Sequence, residues 1–203
     1  MKRLSVLLSA VLLLCFSSWL VAAPMLEEVF VTAQKREQSA QDVPIAITAM
    51  SAEAMRAAGV TDIADLTDIN PSISFDVGQS SQNSSLKIRG IGTVGNGRTF
   101  EGAVGVFIDG VYRSRSGMAL QDMNDIGSLE LLRGPQGTLF GKNTVAGALS
   151  LNSTRPNFDG VSGNAEVLLG NYNKELISLA LNLPLTDRHA LRVSAISNRQ
   201  DGF

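Results

Sequence analysis

The feature that most constrains the fold is a period-two alternation of apolar residues, which starts after Pro156 and continues almost to the end of the chain. Successive side chains of a strand point to opposite faces, so the pattern predicts strands of about ten residues with one apolar face. That face carries Ala165, Val167, Leu169, Ile177, Leu179, Leu181, Leu183, Leu191, Val193 and Ala195. Glu166 and Arg192 fall on the opposite face. Such segments are typical of outer-membrane barrels, although a soluble sandwich gives the same pattern.

The first 23 residues have the parts of a secretory signal peptide. Lys2 and Arg3 precede an apolar run that extends to Leu20, and the small residues Ala22 and Ala23 follow. An uncleaved membrane anchor is the alternative, because the run approaches the length of a short membrane helix. A lipid-modified Cys15 is a weaker alternative. We predict a signal peptide over residues 1–23 and an exported protein.

Between these two regions, short strands mix with two short helices. Ser51 is a good N-cap for a helix over 52–58, and Gly59 suits its end. Thr61 can cap a second helix, which Pro71 stops. Strands are predicted at 45–47, 86–89, 104–108, 111–112, 128–132 and 148–152, with a tight turn at 109–110. The β-prone run 28–33 has no evident partner strand, and we expect it to be extended and mobile.

Catalytic and cofactor motifs are incomplete. The glycines of Gly90 to Gly95 have dinucleotide-loop spacing, but Asn96-Gly97 follows where a helix is needed. Gly141-Lys142 resembles a phosphate loop that lacks its first glycine and its Ser/Thr. One cysteine and one histidine (His189) cannot build a zinc site. With 17 basic and 19 acidic residues, the charge balance disfavours nucleic-acid binding. We expect no catalytic residue, metal site or cofactor.

Several motifs, in order, resemble the TonB-dependent outer-membrane receptors. Val29-Phe30-Val31-Thr32-Ala33 is similar to the TonB box, whose usual form has valine at Phe30. Further matches are Lys35 to Ile45, Leu86 to Gly92 with its Ile-Arg-Gly, and Val106 to Tyr112. The most specific match is Glu130 to Gly141, continued by Ala146 to Leu151. Gly127 and Ala146 depart from the common pattern, which concerns local stability rather than function.

The resemblance implies a fold and a domain organisation. The fold class is an α+β plug domain, a small mixed sheet with short helices, followed by the first three or so antiparallel strands of a transmembrane β-barrel. After the signal peptide, residues 24–37 would hold the TonB box and N-terminal extension, residues 38–155 the plug, and residues 156–203 the start of the barrel. Because the family's barrel has 22 strands, we expect the 203-residue chain to be truncated.

The resemblance also implies sites and partners. The TonB-binding residues would be Glu28, Val29, Phe30, Val31, Thr32 and Ala33. Contacts between plug and barrel would involve Arg89, Glu130 and Arg133. Ligand-facing plug loops would carry Gly92, Asn96, Arg98, Tyr112, Arg113 and Arg115.

The implied function is energised uptake of a scarce solute across the outer membrane. Since that membrane has no ion gradient or ATP of its own, the energy would come through TonB. The partners would be the periplasmic domain of TonB, outer-membrane lipid and a ferric siderophore or other iron complex, without nucleic acid. Haem, cobalamin and carbohydrate ligands stay open. A nucleotide-dependent enzyme and a secreted adhesive protein are the rival classes.

Overall fold

A computed structural model describes residues 30–32, 36, 38–76, 78, 84–93, 101–114 and 123–201. Its centre is a five-stranded sheet built from β3 (Ile47–Ser51), β6 (Val104–Ile108), β7 (Val111–Arg113), β8 (Ile126–Arg133) and β9 (Gly147–Ser153). The spatial order is β3-β8-β9-β6-β7, and β6 and β9 are the one parallel pair among these strands. The strands predicted in this region are confirmed, except that the first begins at Ile47 rather than at Ile45.

Each face of this sheet carries its own apolar cluster, because side chains alternate along the strands. One face, which includes Leu129 and Leu131 of β8, packs against two helices and a hairpin. The helices are α1 (Ala52–Ala57) and α2 (Leu66–Ile69), and the hairpin pairs β4 (Ile73–Asp76) with β5 (Ser85–Ile88). The other face, which includes Leu132 and Ala148, is covered by the chain's N-terminal part through Val31 and Val43.

The predicted turns and caps are largely confirmed. The hydroxyl of Ser51 accepts a hydrogen bond from the Ala54 amide, and Gly59 follows α1 at φ +70°. Asp109 and Gly110 both have positive φ, as a tight β6–β7 turn requires. Thr61 was expected to cap α2, but its hydroxyl donates to the Asp65 carboxylate, so that residues 61–65 form a turn and α2 begins only at Leu66.

The N-terminal run has a partner strand, which corrects the expectation that it would lie unpaired. β1 (Phe30–Val31) pairs antiparallel with β2 (Gln38–Ser39). The Val31 side chain is buried in the second apolar cluster. The residues that follow the run therefore turn back along the chain and supply its pairing partner.

The end of the chain forms a separate three-stranded antiparallel sheet. β10 (Ser162–Gly170), β11 (Lys174–Thr186) and β12 (His189–Arg199) pair in sequence order. A connection of eight residues, 154–161, joins β9 to this sheet. A one-turn helix α3 (Gly137–Phe140), not foreseen from the sequence, precedes β9. Within the described ranges, no helix is long and apolar enough to cross a membrane.

Candidate functional site

The segment predicted to be the TonB box lies against the five-stranded sheet. Phe30 and Val31 form β1, and only two residue pairs join this strand to β2. Val31 is 1% exposed. Glu28, Val29 and Ala33 lie outside the described residues. The described part of the box is therefore a short strand with one neighbour.

Glu130 holds this segment from the side of the sheet. One carboxylate oxygen, Oε1, accepts hydrogen bonds from the Thr32 amide at 2.7 Å, the Thr32 hydroxyl at 2.9 Å and the Asn152 side-chain amide at 3.3 Å. Glu130 is 1% exposed, and its second oxygen has no hydrogen-bond partner among the residues that the structure describes. Glu130 was expected to contact a barrel wall. In the structure its carboxylate contacts the box segment, and a contact with the wall stays a prediction.

The two other residues predicted to join plug and barrel do not meet Glu130. Arg89 is exposed and has positive φ, just after β5. Arg133 is half-buried at the end of β8, where its Nη2 donates to the Ile47 carbonyl at 3.4 Å. Its Nε is buried without a partner in the described part of the chain. The contact of both arginines with a barrel wall stays a prediction.

The predicted ligand-facing residues are only partly described, since Asn96, Arg98 and Arg115 lie outside the ranges. Gly92 follows β5 where a Cβ would meet the Leu86 carbonyl oxygen at 2.9 Å, so the position requires glycine. The Tyr112 ring lies 5.5 Å from that of Phe107, and its hydroxyl accepts a hydrogen bond from Asn143. Arg113 is half-buried with an unpartnered Nε.

An ion pair joins the α+β part to the terminal sheet. Arg192 on β12 donates from Nε and Nη2 to the two oxygens of Asp125, each at 2.6 Å. The two side chains are only 13% and 11% exposed. Next to the pair, the Asn124 side-chain amide donates to the Ser194 hydroxyl at 3.2 Å. Arg192 was expected on the face of its strand opposite the apolar one, and its contact with Asp125 agrees with that expectation.

Asn182 fixes the connection between the two parts. It is fully buried on β11, and its side-chain NH₂ donates to the carbonyls of Asn157 and Gly160 and to the Asn157 side chain. Its Oδ1 accepts a bond from the Asn157 amide. Donors and acceptor are thus all used, as a buried amide requires.

A cavity of about 490 Å³ lies between α1 and the terminal sheet. Arg56, Thr61 and Asp125 line it from the α+β part. Glu166, Ser178 and Arg192 line it from the strands. Polar side chains therefore line it on both sides, among apolar ones such as Met55 and Leu176. No group of three or more His, Cys, Asp or Glu side chains in the described ranges is placed to hold a metal ion.

Sequence reasoning missed Asp125, Asn152 and Asn182. Asp125 follows a stretch without periodicity, so nothing in the sequence indicated its partner 67 residues away. Asn182 lies on the polar face of a predicted strand, but the pattern gives only the face and not the connection that Asn182 contacts. The period-two rule could have placed Asn152 beside Glu130 only if the β8–β9 register had been known.

Comparison with known proteins identifies the family. The model of the TonB-dependent receptor plug domain matches residues 39–148, more than half of the chain. The pesticin receptor of Yersinia enterocolitica is 32% identical over 127 residues, covering 62% of this chain and 18% of that receptor. The ferrioxamine B receptor of Salmonella typhimurium is 24% identical over 170 residues, covering 79% of this chain and 23% of that receptor.

A solved structure agrees with these relatives. The ferric yersiniabactin uptake receptor FyuA from Yersinia pestis superposes with a TM-score of 0.68 at 27% identity, covering 75% of this chain and 24% of that one. The chain thus spans about a fifth of the length of the curated relatives that it matches. The match of the family model and the superposed sheet together show that this chain belongs to the TonB-dependent receptor plug domain family.

Proposed function

We propose that this chain supplies the plug and the first wall strands of an outer-membrane receptor that takes up a ferric siderophore with energy delivered by TonB. The observation that carries the proposal is the placement of the box segment. It is a two-residue strand that precedes the plug in the chain, lies on the surface of the plug's sheet and has a single strand neighbour. Such a strand offers its other edge to a partner.

Strand addition gives the box a physical means of binding TonB. A strand of TonB that pairs with residues 28–33 would form main-chain hydrogen bonds along the whole segment. These bonds resist a pull along the strand better than scattered side-chain contacts do. The box has to leave Glu130 and β2 to be pulled. Among the described residues, that departure is opposed by two strand pairs, by the hydrogen bonds that join Thr32 to Glu130 and Asn152, and by the burial of Val31.

The ligand class follows from the relatives and from charge. The two receptors named for an iron complex, which are those for ferrioxamine B and ferric yersiniabactin, each match three quarters or more of this chain. Arg113, whose Nε has no partner among the described residues, would suit an anionic iron complex, together with Arg98 and Arg115, which the resemblance implies to be ligand-facing. The domain limits at residues 23, 37 and 155 and the outer-membrane location belong to the same proposal.

A proline in the box tests the proposal in a complete receptor that carries this sequence. Val31→Pro removes a main-chain donor and should reduce uptake by roughly tenfold or more without changing binding at the cell surface. Radioactive iron carried by ferrioxamine B or yersiniabactin measures both quantities. The matched control Val31→Ala keeps the backbone donor and should retain most of the uptake. Uptake by Val31→Pro at the level of Val31→Ala would contradict the assignment of the box.

A further inference from the structure

We infer that Asp125 and Arg192 form a fixed joint between the plug and the receptor wall, which stays closed while the N-terminal half of the plug moves during uptake. The inference rests on the proposed function, since only an energised receptor has a moving plug. It assigns to two residues a role as mechanical anchor, and it divides the plug into a held part and a movable part.

The geometry of the ion pair is that of an anchor. Both oxygens of Asp125 are bonded by the planar guanidinium of Arg192, at 2.6 Å each. Bidentate pairs of this kind resist both stretching and rotation. The pair is also largely withdrawn from water. Separating it would therefore leave two charges partly buried without partners, which is strongly unfavourable.

The joint is tied into the backbone on the plug side. The Asp125 carbonyl accepts hydrogen bonds from both the amide and the hydroxyl of Thr154, just after β9. The side chain of Asn124 reaches the wall at Ser194. The start of β8, the end of β9 and β12 are thus connected by polar bonds at one place.

A second clamp lies close along the chain. Asn182 of β11 holds the connection 157–160 with four hydrogen bonds. The C-terminal end of the plug is therefore bonded to two successive wall strands. Asp125 contacts β12, and Asn157 contacts β11. A force applied at the N-terminus of the plug reaches this C-terminal end last.

The N-terminal half has fewer ties to the sheet. β1 has two residue pairs, and β3 is an edge strand with β8 as its one neighbour. β8 and β9, by contrast, lie inside the sheet with a neighbour on each side. A force applied ahead of β1 reaches β1 and β3 before it reaches the joint, so the edge elements separate first and the joint stays closed.

Cysteine pairs distinguish a fixed joint from a moving one. Within residues 1–203 the single cysteine, Cys15, lies in the proposed signal peptide, and any cysteine elsewhere in the complete receptor is replaced by serine before the test. The double variant Asn124→Cys with Ser194→Cys locks the joint when the two thiols are oxidised to a disulfide or bridged with a short bis-methanethiosulfonate, which forms one disulfide with each thiol and releases a sulfinate each time. The matched pair Thr32→Cys with Asn152→Cys locks the box segment to β9. In the native chain the Asn152 Nδ2 and the Thr32 Oγ1 are 3.5 Å apart. Each locked receptor is compared with its own reduced form.

The expected result is opposite for the two pairs. With radioactive iron carried by ferrioxamine B or yersiniabactin, the locked joint should transport within roughly twofold of its reduced form, whereas the locked box should lose roughly tenfold or more. An equal loss of uptake in the two locked receptors would overturn the inference that the joint stays closed. The uptake proposal fails if the two reduced receptors bind an iron complex at the cell surface but do not take it up.

A measurement without siderophore tests the joint independently of uptake. In the complete receptor in detergent, Arg192→Gln should speed hydrogen exchange at the Thr154 amide, which donates to Asp125, by roughly tenfold or more. The Asp109 amide, which donates to the Leu151 carbonyl, should not change. Unchanged hydrogen exchange at the Thr154 amide in Arg192→Gln would overturn the inference even if uptake were normal.

Discussion

Glu130 receives three donors on one oxygen, while its second oxygen is buried and has no partner within the described ranges. A carboxylate so placed is stabilised by Thr32 and loses that stabilisation when the box segment leaves. The sequence predicted the strand that carries Glu130, and the period of two then puts Glu130 on the same face of β8 as Leu132. Its partner could not be predicted, because Thr32 lies 98 residues away and the resemblance pointed to a wall instead.

At this residue we predict that Glu130→Ala loosens the box. A hydrogen bond to a charged group contributes about 1.5–3 kcal/mol, so exchange of the Thr32 amide should rise by about ten- to a hundredfold. Thr32→Val is the matched control, since it removes the hydroxyl but keeps the backbone bond to Glu130. Its effect should be several times smaller. Mass-spectrometric hydrogen exchange checks both variants, and unchanged exchange in Glu130→Ala would show that β2 alone holds the segment.

Among the elements, strands with clear alternation and the helix α1 were predictable, whereas the start of α2 and the one-turn helix α3 were not. The faces of β10, β11 and β12 follow from the period of two, and Leu179 and Leu181 are exposed while Leu176 and Ala180 are buried. The start of α2 was wrong because competing bonds decide it. The Asp65 carboxylate accepts from the Thr61 hydroxyl and from the Thr61 and Asp62 amides, which uses the groups that an earlier helix start would need.

The faces of β11 lead to a prediction about assembly. In a complete receptor Leu179 would face lipid, where an arginine costs about 2–4 kcal/mol at the membrane midplane. Ser178 points to the other side, beside its strand partner Glu166, where an arginine would meet a carboxylate. Leu179→Arg should therefore lower the yield of folded receptor in outer membranes much more than Ser178→Arg. Heat-modifiable migration on gels measures that yield, and the reverse ranking would show that the faces are exchanged.

At the scale of the whole molecule, two parts share one chain and meet at few polar points. The sequence predicted both parts, because the change from mixed elements to strict alternation is visible at Pro156. It did not predict how they meet, since the contacts of Asp125 and Asn182 join residues 67 and 25 positions apart. The apolar clusters of the plug lie almost entirely within residues 38–155, with Val31 as the exception among the buried members.

This distribution predicts that the plug folds by itself and that its first strand is detachable. Removing Val31 from its site costs about 1.5–3 kcal/mol. Leaving β1 unordered recovers about 1–2 kcal/mol per residue in backbone entropy. Polypeptides spanning 38–155 and 24–155 should thus both be soluble monomers, with unfolding free energies within about 2 kcal/mol of each other by urea titration. If only the longer one folded, β1 would be an essential part of the plug, and a segment that TonB must pull away could not be one.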